Sequence, residues 1–161
     1  MKTLSANGLK WLKFFHVLCS ICWIGSAIGM NVLKHALDPA TPEARQLLAS
    51  TLLVLDDLLL YVGVCGCLVT GLLYGVCTKW GFFRHGWLTA KWVLTLAMIL
   101  LGTFVLGPAV QGNVHADTTW YAAHPAEYAA HLAVTARWGG VQLVLLLTVL
   151  YLSVFKPKGR R

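Results

Sequence analysis

The chain has 161 residues, 58% of them hydrophobic and 12% charged, with a mean hydropathy of +0.69. A soluble domain carries about 25% charged residues, so the composition excludes a disordered tail, a disulfide-rich secreted module and a nucleic-acid binder. Lipid is the solvent this composition suits.

Four apolar runs follow in order: Phe14–Leu33, Leu58–Cys77, Trp92–Val110 and Trp138–Phe155. Each is close to the roughly 20 residues that a helix needs to cross a hydrocarbon core of about 30 Å. They predict spans at about residues 10–34, 52–77, 88–111 and 133–155, and no soluble domain fits beside them. The first run exceeds the h-region of a signal peptide, about 7–15 residues, so it is expected to be a retained span. Pro39 and Pro42 break the first connection, Thr78 to Gly86 form the second, and Pro108 and Pro125 bracket a longer third. The expected fold is a single all-α transmembrane domain over residues 1–161, an up-down-up-down four-helix bundle.

Charge sets the expected orientation. Lys2, Lys10, Lys13, Lys79, Arg84, Lys91, Lys156, Lys158, Arg160 and Arg161 fall at one end of the spans. Lys34, Arg45, Arg137 and all six acids fall at the other. The positive-inside rule then predicts cytoplasmic termini in a bacterial inner membrane. The net charge of +7 records that topology rather than an acidic partner.

Small residues recur along two spans. Cys22, Gly25, Ser26 and Gly29 mark the first; Gly63, Cys67, Gly71 and Gly75 mark the second, one every fourth position. Such stripes lie on one helix face and let backbones approach. Spans one and two are expected to pack through them. A homo-oligomer contact through Gly25, Gly29, Gly63, Gly71 and Gly75 is the rival explanation.

Ionisable groups inside a bilayer are functional candidates, and here they form two layers. Near the terminal end, His16 sits among Phe14, Phe15, Val17 and Leu18, with Lys91 at nearly the same depth. A neutral imidazole there suits either a backbone carbonyl or haem iron. Lys91 suits a headgroup anchor or a haem site. At the other end, Asp56 and Asp57 open the second span and Arg137 opens the fourth, so an Asp57–Arg137 latch is expected. A competing bis-histidine haem site there would use His131 with His35 or His115, beside Arg137. His16, Cys19 and Cys22 could instead bind a soft metal such as copper. Cys65 and Cys67 point to opposite helix sides, and all five cysteines lie within predicted spans, without a disulfide framework. Phosphate loops, Ser-His-Asp sets and facing carboxylate pairs are missing, which removes hydrolases and nucleotide-driven machines.

His16-Val-Leu-Cys-Ser-Ile-Cys-Trp23-Ile-Gly25 resembles a first-helix signature, His-x6-Trp followed closely by Gly, of a group of small membrane proteins. The group holds HemJ-type protoporphyrinogen oxidases, the CopD membrane domain, the membrane portion of PuuD-type urate oxidases and short uncharacterised four-helix membrane proteins. Trp87-Leu-Thr-Ala-Lys91 resembles a Trp-Leu-x-x-Lys helix opening of the HemJ type. The ending from Trp138-Gly-Gly-Val to Phe155-Lys-Pro157 is more similar to the uncharacterised members. The resemblance implies a haem b bundle with His16 as axial ligand and a role for Lys91, as second ligand or propionate partner. The expected function is electron transfer, or oxidation of a hydrophobic substrate such as a quinone or porphyrin. Copper handling and a cofactor-free assembly partner are the alternatives.

Overall fold

The computed structural model describes residues 4–77 and 85–156. Lys2, Lys79, Arg84, Lys158, Arg160 and Arg161, and most of the second connection, lie outside the described residues. Four helical rods long and apolar enough to cross a membrane make the bundle, and the described residues contain no strand.

The first rod is α1 (Ala6–Ala36), started by Ser5, whose hydroxyl accepts from the Gly8 amide at 3.2 Å. The second runs from Pro42 to Cys77 as α2 (Pro42–Leu55), a π-helical segment (Asp56–Tyr61) and α3 (Val62–Cys77). Pro42 occupies its first turn and the Thr41 hydroxyl caps it. The third comprises α4 (Gly86–Leu101), a second π segment (Gly102–Leu106) and α5 (Gly107–Gln111). A short α6 (Thr118–Ala123) precedes the fourth rod, α7 (Pro125–Phe155). Lys156, at φ 42°, ends α7 in the left-handed region just before Pro157.

The helices enclose all four expected spans and overrun them. At 36 residues, the second rod is roughly 50 Å long by helical rise, well beyond a hydrocarbon core. The surplus of α2 joins α6 and the start of α7 in a cap at one end. Tyr121 is fully buried there, packed with Ala49 and Tyr128. Its hydroxyl donates to the Asn113 carbonyl at 2.8 Å and accepts from the His115 amide at 3.1 Å. Arg45 donates to the carbonyls of Pro39 and Tyr121 and lies over the Tyr128 ring. The long third connection is therefore an ordered lid on the bundle. The opposite end carries the starts of α1 and α4 and the ends of α3 and α7.

Along the rods the outer faces are apolar: Ile21, Val32, Leu58, Val69, Phe104 and Val144 are all exposed. In water that would be a fault; in lipid it is the expected surface. Inside, Trp23, Ala27, Cys67, Met98 and Leu146 form the central core.

The expected closeness of spans one and two is present, built from one side. A Cβ at Gly63 would stand 2.6 Å from the Trp23 backbone nitrogen and 2.8 Å from the Cys19 carbonyl oxygen. At Gly66 it would meet Cys19 Sγ. Gly71 instead faces the Trp92 ring of α4, 3.7 Å from the Cβ position. Gly25 and Gly29 have nothing within 4 Å of theirs, so the α1 glycines do not make the contact. Gly75 lies in the last turns of α3.

Candidate functional site

The polar groups of α1 share one face. His16, Ser20, Trp23, Ala27, Asn31 and Lys34 follow one another at three- and four-residue steps, which keeps them on a single helical stripe. This stripe meets α3 in the terminal half of the bundle and α7 in the capped half.

In the terminal half, His16 Nδ1 lies 2.7 Å from Thr70 Oγ1. The same hydroxyl donates to the Gly66 carbonyl at 2.6 Å. A hydroxyl has one proton, so Thr70 accepts from His16 Nδ1–H while giving its own proton to Gly66. This arrangement orients the ring and, in the neutral Nδ1–H tautomer, leaves the lone pair on Nε2. Tyr74 packs edge-on against the ring at 5.9 Å between centroids. One turn deeper, Ser20 donates to the His16 carbonyl at 2.8 Å and its oxygen is 3.3 Å from Cys67 Sγ. Lys91 of α4 is within electrostatic reach of both His16 and Cys67.

In the capped half, Lys34 is 9% exposed and donates to the Thr135 carbonyl of α7 at 2.8 Å. Asn31 Nδ2 donates to the Ala27 carbonyl at 2.8 Å and reaches the Gly139 carbonyl at 3.4 Å. A Cβ on Gly139 would stand 2.9 Å from Lys34 Nζ and 3.2 Å from Asn31 Oδ1. Gly139 thus leaves room for both side-chain ends. One turn on, Gln142 is 4% exposed, with Nε2 3.9 Å from the Cβ position of Gly102, where the second π segment begins. Asp56, which opens the first π segment, interacts electrostatically with Lys34. Three buried polar atoms on this seam have no hydrogen-bond partner: Trp23 Nε1, Asn31 Oδ1 and Gln142 Oε1. A span interrupted by π turns beside such atoms is a frequent mark of a working site.

Several expectations are corrected. Asp57 and Arg137 form no latch: both are exposed, and the Arg137 guanidinium lies over its neighbour Trp138 at 5.8 Å. Adjacent residues point about 100° apart on a helix, so Asp56 and Asp57 cannot both face inward, and the inward one is Asp56. His16, Cys19 and Cys22 do not gather, and among the described residues no group of three metal-binding side chains forms. Steps of three residues drift around the helix, which carries Cys22 about 120° from His16. The cysteines are free, with Cys65 exposed and Cys67 buried as their spacing predicts.

The cap histidines are individually engaged. His35 is exposed and bonds the Asn31 carbonyl at 2.8 Å. His115 Nε2 donates to the Gly112 carbonyl at 3.0 Å, and its ring stacks on Trp120 at 3.6 Å. His131 Nδ1 meets Asn113 Oδ1 at 3.1 Å, and the Asn113 amide nitrogen donates onward to the Tyr128 carbonyl at 3.2 Å. His115 and His131 both border Gly112, whose Cβ position is 2.7 Å from the His131 ring. Arg137, exposed over Trp138, is not part of a cluster with them.

Asn31, Lys34, Thr70, Thr135 and Gln142 escaped the sequence reading as site residues. The available signal was the register of Asn31 and Lys34 with His16, and the single amide, Gln142, in the last apolar run.

No curated protein and no solved structure matches this chain. A family model does, over residues 10–157, which takes in all four rods and the cap. With its four membrane-length helices, the chain belongs to the family described as predicted integral membrane protein (DUF2269).

Proposed function

We propose that this multi-pass membrane protein binds haem b through His16 and serves in electron transfer, or in oxidation of a hydrophobic substrate, within the bilayer. The observation that carries the reading is the His16–Thr70–Gly66 relay. Metal-ligating histidines ordinarily donate their other ring N–H to a fixed acceptor, which sets tautomer and ring orientation. With Nδ1–H donating to the Thr70 oxygen, Nε2 would be the ligating atom for iron in an apolar setting. The first-helix resemblance to the HemJ-type group supports the same residue. Haem, when bound, supplies a one-electron carrier whose potential the protein sets. Lys91 would serve it either as a neutral second ligand or as a cation beside a propionate. The cap histidines fit less well by placement: His35 is exposed on α1, and the His115 ring is stacked on Trp120 in the third connection. The charge asymmetry of the chain further supports cytoplasmic termini and an outward-facing cap in a bacterial inner membrane.

The test is an absorption spectrum of protein purified from haem-replete cells, with haem extracted and counted. A Soret band in the wild type, lost or strongly reduced in His16→Ala, is the expected result. Wild-type protein without haem would overturn the function, and an unshifted Soret band in His16→Ala would overturn the residue.

A second reading rests on Gly25 and Gly29, whose open Gly-x-x-x-Gly face meets nothing in the chain. Such a face suits association with another transmembrane helix, and a cofactor-free assembly role would use it. Gly25→Leu with Gly29→Leu would then shift the protein to a smaller species in detergent.

A further inference from the structure

We propose that copies of this chain dock side by side in the membrane, the outer face of one copy's second rod lying along the outer face of the next copy's fourth rod, with Asp57 paired to Arg137 across the contact. Neither the haem reading nor the open Gly25–Gly29 face uses these surfaces, so the proposal stands apart from both.

The two faces belong to opposite corners of the bundle. α1 packs against both α3 and α7; α4 packs against α7, and its Trp92 meets Gly71 of α3. The second and fourth rods are therefore diagonal, and neither covers the outer side of the other. Both run from the capped end to the terminal end.

Each face opens with a charge, and the charges are opposite. Asp57 and Arg137 are exposed, and among the described residues neither carries an ion pair. They stand at nearly one depth: Asp56 interacts electrostatically with Lys34, and Lys34 donates to the carbonyl of Thr135, close before Arg137 in α7. An arginine at a span end can reach the headgroup phosphates. A carboxylate beside Asp56 meets only like charge among those phosphates, and an arginine from a second copy relieves it.

Toward the terminal end the two faces share one spacing. Leu58, Val62, Cys65, Val69, Leu72 and Val76 are exposed on the second rod, at alternating steps of four and three. Arg137, Val141, Val144, Thr148, Tyr151 and Phe155 are exposed on α7, at the same steps in the same order. That alternation is the contact line of a left-handed helix pair. Aligned in parallel, the runs set Leu58 beside Arg137, Cys65 beside Val144 and Val76 beside Phe155. Asp57, next to Leu58, is then within reach of the guanidinium. Small and β-branched side chains fill the middle on both sides, which lets the rods approach. The Thr148 hydroxyl donates back to the Val144 carbonyl at 2.8 Å, so it brings no unmet donor to the contact. Because the two faces differ and lie on opposite corners, a dimer leaves one of each free, and association continues head to tail.

The experiment uses the full chain in cell membranes, carrying Val144→Cys and treated with copper phenanthroline as the oxidant. Cys65 is free and exposed, and its thiol should join the one introduced at position 144 of a neighbouring copy. A ladder of covalent dimers and higher species is expected. It should vanish when Cys65→Ser is added, and Val93→Cys, on the outer face of α4, should not produce it. Val76→Cys with Phe155→Cys repeats the test at the terminal end, where the oxidant has ready access. Asp57→Arg or Arg137→Asp alone should cut the cross-linked fraction about tenfold, by setting like charges face to face. The two reversals together should restore it, which a merely structural role for either residue does not predict. Cross-linking of Val144→Cys that survives Cys65→Ser would set α7 against itself and overturn the proposal. Monomer alone from both cysteine pairs would overturn it too. So would a double reversal no better than the single ones, with wild-type melting in all three.

Discussion

Lys34 of α1 is buried against α7, its ammonium donating to the Thr135 carbonyl at 2.8 Å beside the bare Cα of Gly139. A lysine near a span end usually snorkels to the headgroups. This one turns inward because α7 offers it a carbonyl, a neighbouring amide and the space of a missing side chain. The contact ties the first and last rods together and fixes the capped half of the seam.

Gly139→Ala should therefore act through Lys34. The added Cβ would stand 2.9 Å from Nζ and 3.2 Å from Asn31 Oδ1. Both are ends of flexible side chains, so a cost of about 1–2 kcal/mol is expected. Gly139→Val should cost more. Lys34→Ala in the Gly139→Ala background should add less than it does alone, because the two share one contact. Melting in detergent of the two single variants and the double variant measures this.

Gly63 makes the opposite case. Its Cβ position is 2.6 Å from a backbone nitrogen and 2.8 Å from a backbone oxygen of α1. Backbone within a helix has little room to yield, so Gly63→Ala must push α1 and α3 apart along their closest line. A loss of about 2–3 kcal/mol is expected, against near-neutral Gly25→Ala and Gly29→Ala, where the space is open. Chemical unfolding of the three variants gives the comparison.

Much of the fold was legible in the sequence, because length and hydropathy are enough to place a membrane helix. The four rods and the tight approach of spans one and two follow from runs and glycines visible in the chain. Rotation about each axis was not legible. Hydropathy separates lipid-facing from watery positions poorly when every face is apolar, so the sequence alone does not distinguish Asp56 from Asp57 as the inward acid. A π segment also widens the helix locally and changes the register beyond it, and no residue pattern announces one. His16 stood out through its apolar neighbours. Lys34 did not, since a charge near a span end is ordinarily an anchor.

Asp117 gives α6 a pH-sensitive N-cap. It precedes α6, and its carboxylate accepts from the Thr119 amide at 2.9 Å and from the Thr119 hydroxyl at 2.5 Å. The Thr119 hydroxyl, first, and then the amide hold its carboxyl below the usual carboxylate range. A lowered value in the folded protein means the cap is intact above the ordinary carboxylate value. It is lost as pH falls from there through the lowered one. The Thr119 amide resonance should titrate with an acidic midpoint below that of a free aspartate, and Asp117→Asn should abolish that titration while keeping a capped α6. An ordinary midpoint would show that the hydroxyl contact does not persist in solution.

The Thr70 hydroxyl offers a separate handle on His16. With its own proton directed at Gly66 at 2.6 Å, it accepts from Nδ1. Thr70→Val preserves shape and removes that acceptor, leaving the ring free to change tautomer and to rotate. Loss of such a supporting partner typically lowers metal affinity about 10- to 100-fold. In a haem-bearing protein, Thr70→Val should thus keep the Soret band at saturating haem, shift it, and release haem faster to an acceptor such as apomyoglobin. Thr70→Ser should restore wild-type release. If Thr70→Val holds haem as firmly as the wild type while His16→Ala loses it, the ring is fixed by Tyr74 packing instead, and the relay is not what presents Nε2.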